Sequence, residues 1–159
     1  MSDKLCDHTS VGMLVRKGTD LLLIERRRPP FGFAPPAGHV DGDATYEEAA
    51  ARELTEEVGL RADSLKLVFE GDVDNPCRRI DGTWHHWKIY EVGVQDTHVE
   101  RSEDETRQAG WYTIRQIREL AERTEQYVAR RISDEAWEQN PGLEKVWYEY
   151  FIKLGIITR

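Results

Sequence analysis

The stretch "RELTEEVGL", residues 52 to 60, puts three glutamates within five positions and ends on a glycine. On a helix turning about 100° per residue, Glu53, Glu56 and Glu57 fall at roughly 0°, −60° and +40°, so their carboxylates share one face. Ala51, Leu54 and Val58 fall at about 100° to 160°, free to pack on a sheet. The acids sit in the last turn, where the helix dipole disfavours negative charge and like charges three and four residues apart repel. Each effect costs only about 0.3 to 1 kcal/mol. Two chemistries stay open on this footing. One is a solvated acidic face; the other is a site for a hard divalent cation such as magnesium, which seeks clustered carboxylate oxygens and reverses the sign of both terms.

The elements around these acids follow from local signals. Thr45 with Glu48 makes a capping box, the alanines at 49 to 51 and Leu54 propagate a helix, and Gly59 stops it, which predicts a helix over 46–58. Upstream, "SVGMLVRKGTDLLLIERR" reads as two apolar strands around a "KGTD" turn, with Leu21 to Ile24 buried on both faces. The proline- and glycine-rich "RRRPPFGFAPPAGHVDGDA" between them and the helix argues against regular structure. Downstream, "SLKLVFEGDV", "WHHWKIYEVGV" and the short "GWYT" have strand character. Thr113 with Gln116 opens a second capped helix. "NPGLEKVWYEYFIKLG" predicts a last helix with Asn140 as cap, Pro141 in the first turn and Gly155 as terminator. Its stripe of Leu143, Val146, Trp147, Tyr150, Phe151 and Leu154 favours core packing over a cofactor contact, with a dimer contact as the sharper alternative.

At 159 residues the chain fits one domain. With 22 basic and 30 acidic side chains, its formal charge of −8 argues against stable nucleic acid or an anionic membrane as partner, and not against a small phosphorylated ligand held by a cation. No apolar run reaches the length of a membrane span and "MSDKLCDHTS" lacks the pattern of a secretory signal, so a cytoplasmic protein, monomer or homodimer, is expected. Cys6 and Cys77 match no zinc spacing and are expected as reduced, unpaired thiols. His85 and His86 alternate faces on a strand and are expected as polar strand residues that do not share a metal.

Counting back from the acidic turn sharpens the choice. Gly38, "HVDGDATYEEAAA" and "RELTEEVGL" together resemble the Nudix box, Gx5Ex7REUxEExGU with U a bulky aliphatic residue. Gly38, Arg52, Glu53, Leu54, Glu56, Glu57, Gly59 and Leu60 stand at the family's positions, eight of nine, which is too specific for coincidence. The ninth is Ala44, where the family has a glutamate; Asp41 or Asp43 is placed to compensate. The resemblance implies an α/β Nudix fold, a mixed β-sheet sandwiched between helices in an α/β/α sandwich with additional C-terminal helices. A single domain over 1–159 is expected, with a core at about 9–125 and a C-terminal helical extension at about 126–159.

The same resemblance implies hydrolysis of the diphosphate in a nucleoside diphosphate linked to another group, with Mg2+, or Mn2+, as cofactor. It makes Glu53, Glu56 and Glu57 the metal-binding carboxylates, with the Gly38 carbonyl as a further ligand, and gives Arg52 the task of orienting them. A general base is needed; Glu56 serves in some members, and Glu105 in "RSEDETRQAGWYTI" is the candidate loop glutamate here, with Glu103 as substitute. Among Arg26, Arg27 and Arg28, planar donors suited to phosphate, Arg26 and Arg28 are the substrate-binding candidates. Phe33, Phe31, Trp84 and Trp87 can stack on a base, against core packing as the commoner role. A MutT-like nucleoside triphosphate pyrophosphohydrolase is the first expectation. An ADP-ribose or nucleotide-sugar pyrophosphatase, for which Pro76 is weak support, and a catalytically weak nucleotide-binding module are the alternatives.

Overall fold

The computed structural model describes residues 4–43 and 45–159. Among these residues, seven strands and four helices follow the order β1 (Thr9–Lys17), β2 (Asp20–Arg26), β3 (Phe33–Ala34), β4 (Ala37–Gly38), α1 (Tyr46–Val58), β5 (Ser64–Asp74), β6 (Trp84–Gly93), β7 (Thr106–Tyr112), α2 (Ile114–Val128), α3 (Asp134–Gln139) and α4 (Lys145–Lys153). They form one mixed sheet in which β1 runs parallel to β6 and every other pairing is antiparallel.

Two apolar cores lie on opposite faces of this sheet, because buried side chains alternate along each strand. Leu22 and Ile24 of β2 pack with Val11, Met13 and α1, while Leu21 and Leu23 pack with α2 and α4 on the other face. The continuous run from Leu21 to Ile24 is therefore apolar on both sides, as its sequence predicts. Trp147 is fully buried against β1, so close to Gly12 that any β-carbon there would collide with the indole. The apolar stripe of the last helix is core.

The β1–β2 hairpin pairs only near its turn, at Arg16 with Leu21 and Lys17 with Asp20. Beyond that the arms diverge: β4 pairs with β1 at Val11 and Gly12, while β3 pairs with β2 at Ile24 and Glu25. The proline-rich segment thus contains two short strands where its composition predicted none. Pro36 still accepts a bond from the Met13 N–H at 3.0 Å, so the prolines, which lack donors, serve through their carbonyls.

Helix α1 starts and stops as expected: the Thr45 side chain accepts from the Glu48 N–H, and Gly59 adopts φ 71° at the end. The Thr113 and Gln116 capping box opens α2. The last helix departs from its predicted start. Asn140 caps the end of α3, and α4 begins at Lys145 behind Glu144, which makes no side-chain capping bond. Residues 141–144 are extended because Phe33 bridges Leu143: the Phe33 N–H donates to Gly142 at 2.8 Å and the Glu144 N–H donates to Phe33 at 2.9 Å. Strand pairing satisfies these backbone groups and overrides the local capping signal. Gly155, at φ 75°, follows the helix end as expected.

Candidate active site

The diverging hairpin, α1 and the loops before β6 and β7 enclose a cleft of about 300 Å³. One wall is acidic. Oxygens of Glu53, Glu57 and Glu105 all lie within 4.8 Å of one another, the first two from α1 and the third from the loop leading into β7. That loop is held by an Arg27 N–H bond to the Glu105 carbonyl at 3.1 Å and by the Thr106 N–H to Ser102 at 3.0 Å. Glu57 is buried and accepts from the Ala37 N–H at 3.2 Å. Gly38 also lines the cleft, and a β-carbon at this position would strike the Glu53 carboxylate. Its glycine identity makes room for a carboxylate, a steric reason that box spacing alone does not reveal.

Arg52 sits behind this wall. It donates to Glu53 at 2.9 Å, Glu56 at 3.2 Å, Asp43 at 2.7 Å and the His39 carbonyl at 2.9 Å. One planar guanidinium therefore ties α1 to the segment after β4. Asp43 is one of the two aspartates expected to compensate for Ala44; Ala44 itself lies outside the described residues. The other, Asp41, is committed elsewhere, to Arg79 at 2.5 and 3.0 Å. Glu56 leaves the cluster, with its side chain half exposed and engaged by Arg52, so the described carboxylate group is Glu53, Glu57 and Glu105. Glu103 is exposed and outside that group.

Electrostatics mark the wall as strained without a cation. Burial pushes the Glu53 carboxyl up to about 7, against the pull of Arg52, with Glu56 and Glu105 adding to the rise. Burial drives Glu57 well above the usual carboxylate range; Glu53 and Glu105 push it the same way, and Arg26 and the Ala37 N–H oppose. Clustered, dehydrated carboxylates that cling to protons are a donor set that a hard divalent ion would satisfy, so the residues present fit such an ion.

The same cleft also has basic lining. Arg26, Arg28, Arg78 and Arg79 line it, and among the described residues no carboxylate lies within ion-pair distance of the first three. The buried Nε of Arg26 has no hydrogen-bond partner among the described residues. Burial and the charges of Arg28 and Arg26 depress the Arg78 guanidinium, the mark of cations gathered without an anion. Arg78 and Arg79 were not singled out by sequence: they lie in an irregular loop, and only the tertiary fold brings them to Arg26 and Arg28. Arg27 points away, bonded to the Thr106 carbonyl at 3.2 Å.

The aromatic candidates divide. Phe33, expected at the substrate, packs in the core instead of the cleft: it is 5 % exposed, sits edge-on against Tyr112 and is absent from the lining. Phe31 lies under Arg107 and Trp84 stacks on His8. Trp87 and Trp147 do line the cleft, packed edge to face at 5.4 Å. His86 faces out to Glu70 and Asp72, whereas His85 is buried beside Asn75, so the two share no site. Cys6 and Cys77 form no disulfide, and their sulfurs lie 3.8 Å apart.

Residues 7–133 match the family described as the NUDIX domain. The chain belongs to the Nudix family. Over 71 residues it is 43 % identical to an ADP-ribose pyrophosphatase of Methanocaldococcus jannaschii, covering 42 % of this chain and 42 % of that protein. Over 148 residues it is 29 % identical to a putative mutator protein MutT4 of Mycobacterium tuberculosis, covering 79 % of this chain and 58 % of that one. It therefore spans about half the length of these curated relatives. Among solved structures, the MutT protein of Methanosarcina mazei superposes with a TM-score of 0.66 at 17 % identity, over 98 % of this chain and 96 % of that one. A MutT Nudix hydrolase of Burkholderia pseudomallei gives a TM-score of 0.60 at 22 % identity, over 68 % and 84 %. These likenesses establish the shared fold, including its mixed sheet between helices.

Proposed function

We propose that the cleft hydrolyses the diphosphate of a nucleoside diphosphate linked to another group, with a divalent cation, Mg2+ or Mn2+, held by Glu53 and Glu57. The observation that carries this reading is a cluster of three carboxylates and a set of guanidiniums without carboxylate partners lining one cleft. A divalent ion there supplies neutralisation of the diphosphate charge that otherwise repels a nucleophile. Arg26, Arg28 and Arg78 hold phosphate oxygens of the substrate, with Arg26 offering its otherwise unsatisfied Nε–H. Arg52 is a positioning residue that fixes the Glu53 carboxylate and keeps Glu56 at the rim. Glu105, exposed on a loop beside the two helix carboxylates, takes the proton from the attacking water. The new P–O bond forms as the anhydride P–O bond breaks, and the bridging oxygen leaves on the departing phosphate. The Gly38 carbonyl, beside Glu53, is a further donor to the ion.

A MutT-like nucleoside triphosphate substrate agrees with the similarity to the M. tuberculosis mutator protein along most of this chain. An ADP-ribose-type substrate is favoured by the more identical stretch shared with the M. jannaschii pyrophosphatase. A panel of nucleoside triphosphates, ADP-ribose and nucleotide sugars with Mg2+ or Mn2+, analysed for products, separates them. Glu57→Gln is expected to lower kcat at least tenfold, corresponding to about 1.4 kcal/mol of lost transition-state stabilisation. Unchanged turnover in that variant removes Glu57 from the site, and binding without turnover across the panel leaves a nucleotide-binding module instead of an enzyme.

A further inference from the structure

At one end of the cleft, whose lining includes His39, Cys77 and His85, four side chains from four separate parts of the chain converge. Cys6 precedes β1, His39 follows β4, Cys77 lies in the loop between β5 and β6, and His85 is the second residue of β6. One ligand atom from each lies within 4.8 Å of every other. Their separations have a particular shape: Cys6 Sγ to Cys77 Sγ is 3.8 Å, to His85 Nε2 3.3 Å and to His39 Nε2 3.7 Å. Zinc bonds of about 2.3 Å to sulfur and 2.0–2.1 Å to nitrogen, arranged as a tetrahedron, require S···S near ~3.8 Å and S···N near ~3.5 Å.

We propose that Cys6, His39, Cys77 and His85 form a closed, structural Zn2+ site, separate from the glutamate cluster and independent of the function proposed for it. The surroundings suit thiolate and imidazole ligands. The His8 N–H donates to Cys6 Sγ at 3.3 Å and the Arg79 N–H donates to Cys77 Sγ at 3.4 Å. Both amides come from two residues beyond their cysteine, and such bonds stabilise charge on a sulfur. The two cysteine segments are paired to each other, with the Cys6 N–H donating to the Ile80 carbonyl at 2.9 Å and the Ile80 N–H to the Lys4 carbonyl at 3.0 Å. Gly82 leaves space for the ligand, since a β-carbon there would collide with Cys77 Sγ.

The tautomer of His85 is also set. Asn75 Oδ1 lies 3.0 Å from Trp87 Nε1, which can only donate, so this atom is an acceptor. It lies 3.1 Å from His85 Nδ1, which therefore carries the ring proton and leaves the Nε2 lone pair toward Cys6 Sγ, 3.3 Å away. A buried amide that orients a histidine in this way is the usual outer support of a metal ligand. Binding releases the two thiol protons and leaves a centre of zero net charge. The site joins the N-terminal segment, the arginine-bearing loop and His39, whose carbonyl anchors Arg52.

The test uses the full chain purified under reducing conditions without chelator. Elemental analysis is expected to find one zinc per chain that survives exchange into Mg2+ buffer. Replacement by Co2+ should give the visible bands of a tetrahedral ion together with thiolate-to-cobalt charge transfer in the near ultraviolet. Cys77→Ser should lose the zinc and weaken the charge-transfer band, while Glu57→Gln keeps both, which distinguishes this site from the acidic one. Wild-type protein with two freely titrating thiols and no thiolate-to-cobalt band overturns the proposal, and needs no variant to fold. A Cys6–Cys77 disulfide in the protein isolated under these conditions overturns it equally.

Discussion

Without a divalent ion, the acidic wall makes the native state less stable as pH rises, and Glu53→Gln removes the part due to Glu53 together with the rise its charge imposes on Glu57. Glu53 is held at about 7 by burial, against 4.5 for an ordinary glutamate. Below pH 4.5 both states carry the proton and the group contributes nothing. Between 4.5 and 7 the unfolded chain releases the proton while the native state keeps it, so stability falls as pH rises and then levels off. The full penalty is roughly 3 kcal/mol at about 1.4 kcal/mol per pH unit. His39 works in the opposite direction: burial and the Arg79 charge hold it near 4, so the native state fails to take up a proton that the unfolded chain gains below 6.5. Its contribution rises with pH over a window that overlaps that of Glu53, and the raw profile of the wild type is therefore a sum. The informative quantity is the stability of Glu53→Gln minus that of the wild type, since the substitution leaves His39 in place. In chelator-treated protein, urea unfolding at pH 5 and pH 8 should show this difference growing by roughly 2.5 kcal/mol in favour of the variant, since part of the penalty is already present at pH 5. Mg2+ at about a hundred times its dissociation constant should return about 2.7 kcal/mol to the wild type at pH 8. A difference that does not change with pH, or one unaffected by saturating Mg2+ or Mn2+, refutes the view that this wall is a cation site.

Other substitutions separate the roles assigned to the cleft. Glu105→Gln is expected to lower kcat by about 10² to 10⁴ with the pH profile of the reaction flattened on its acid side, the signature of a lost general base; a drop below threefold would move that role elsewhere. Arg28→Ala and Arg78→Ala should each raise KM about tenfold, from the loss of a charged hydrogen bond of about 1.5 kcal/mol or more, and unchanged KM in both would remove these phosphate contacts. Trp147→Ala should cost about 3–5 kcal/mol in urea unfolding, because it empties a fully buried position against β1; a loss under 1 kcal/mol would show that the last helix is only loosely attached.

What was legible in the sequence was what local chemistry decides. Thr45, Gly59 and the alanines between them determine α1 through bonds that span three or four residues, and the box spacing located Glu53, Glu57 and Arg52. Glu56 departs because helical angle alone does not say which acid an arginine will engage, and Arg52 draws it to the rim. Pairing of Phe33 with Leu143 displaced the start of α4, a contact between segments far apart in the chain. The same separation hid Arg78 in the basic lining of the cleft. It also hid the Cys6 and Cys77 pair, whose partners His39 and His85 come from different elements, so no short spacing announces them.

The placement of Trp147 beneath the cleft has a consequence for synthesis. The acidic wall, the basic loop and all seven strands are translated before residue 143, yet one face of the sheet is covered largely by side chains made after that point. A nascent chain emerging in order can assemble the α1 face first, while Leu21, Leu23 and Ile89 wait for Trp147 and Phe151. During that interval the sheet exposes an apolar face that is open to association until the floor of the cleft arrives.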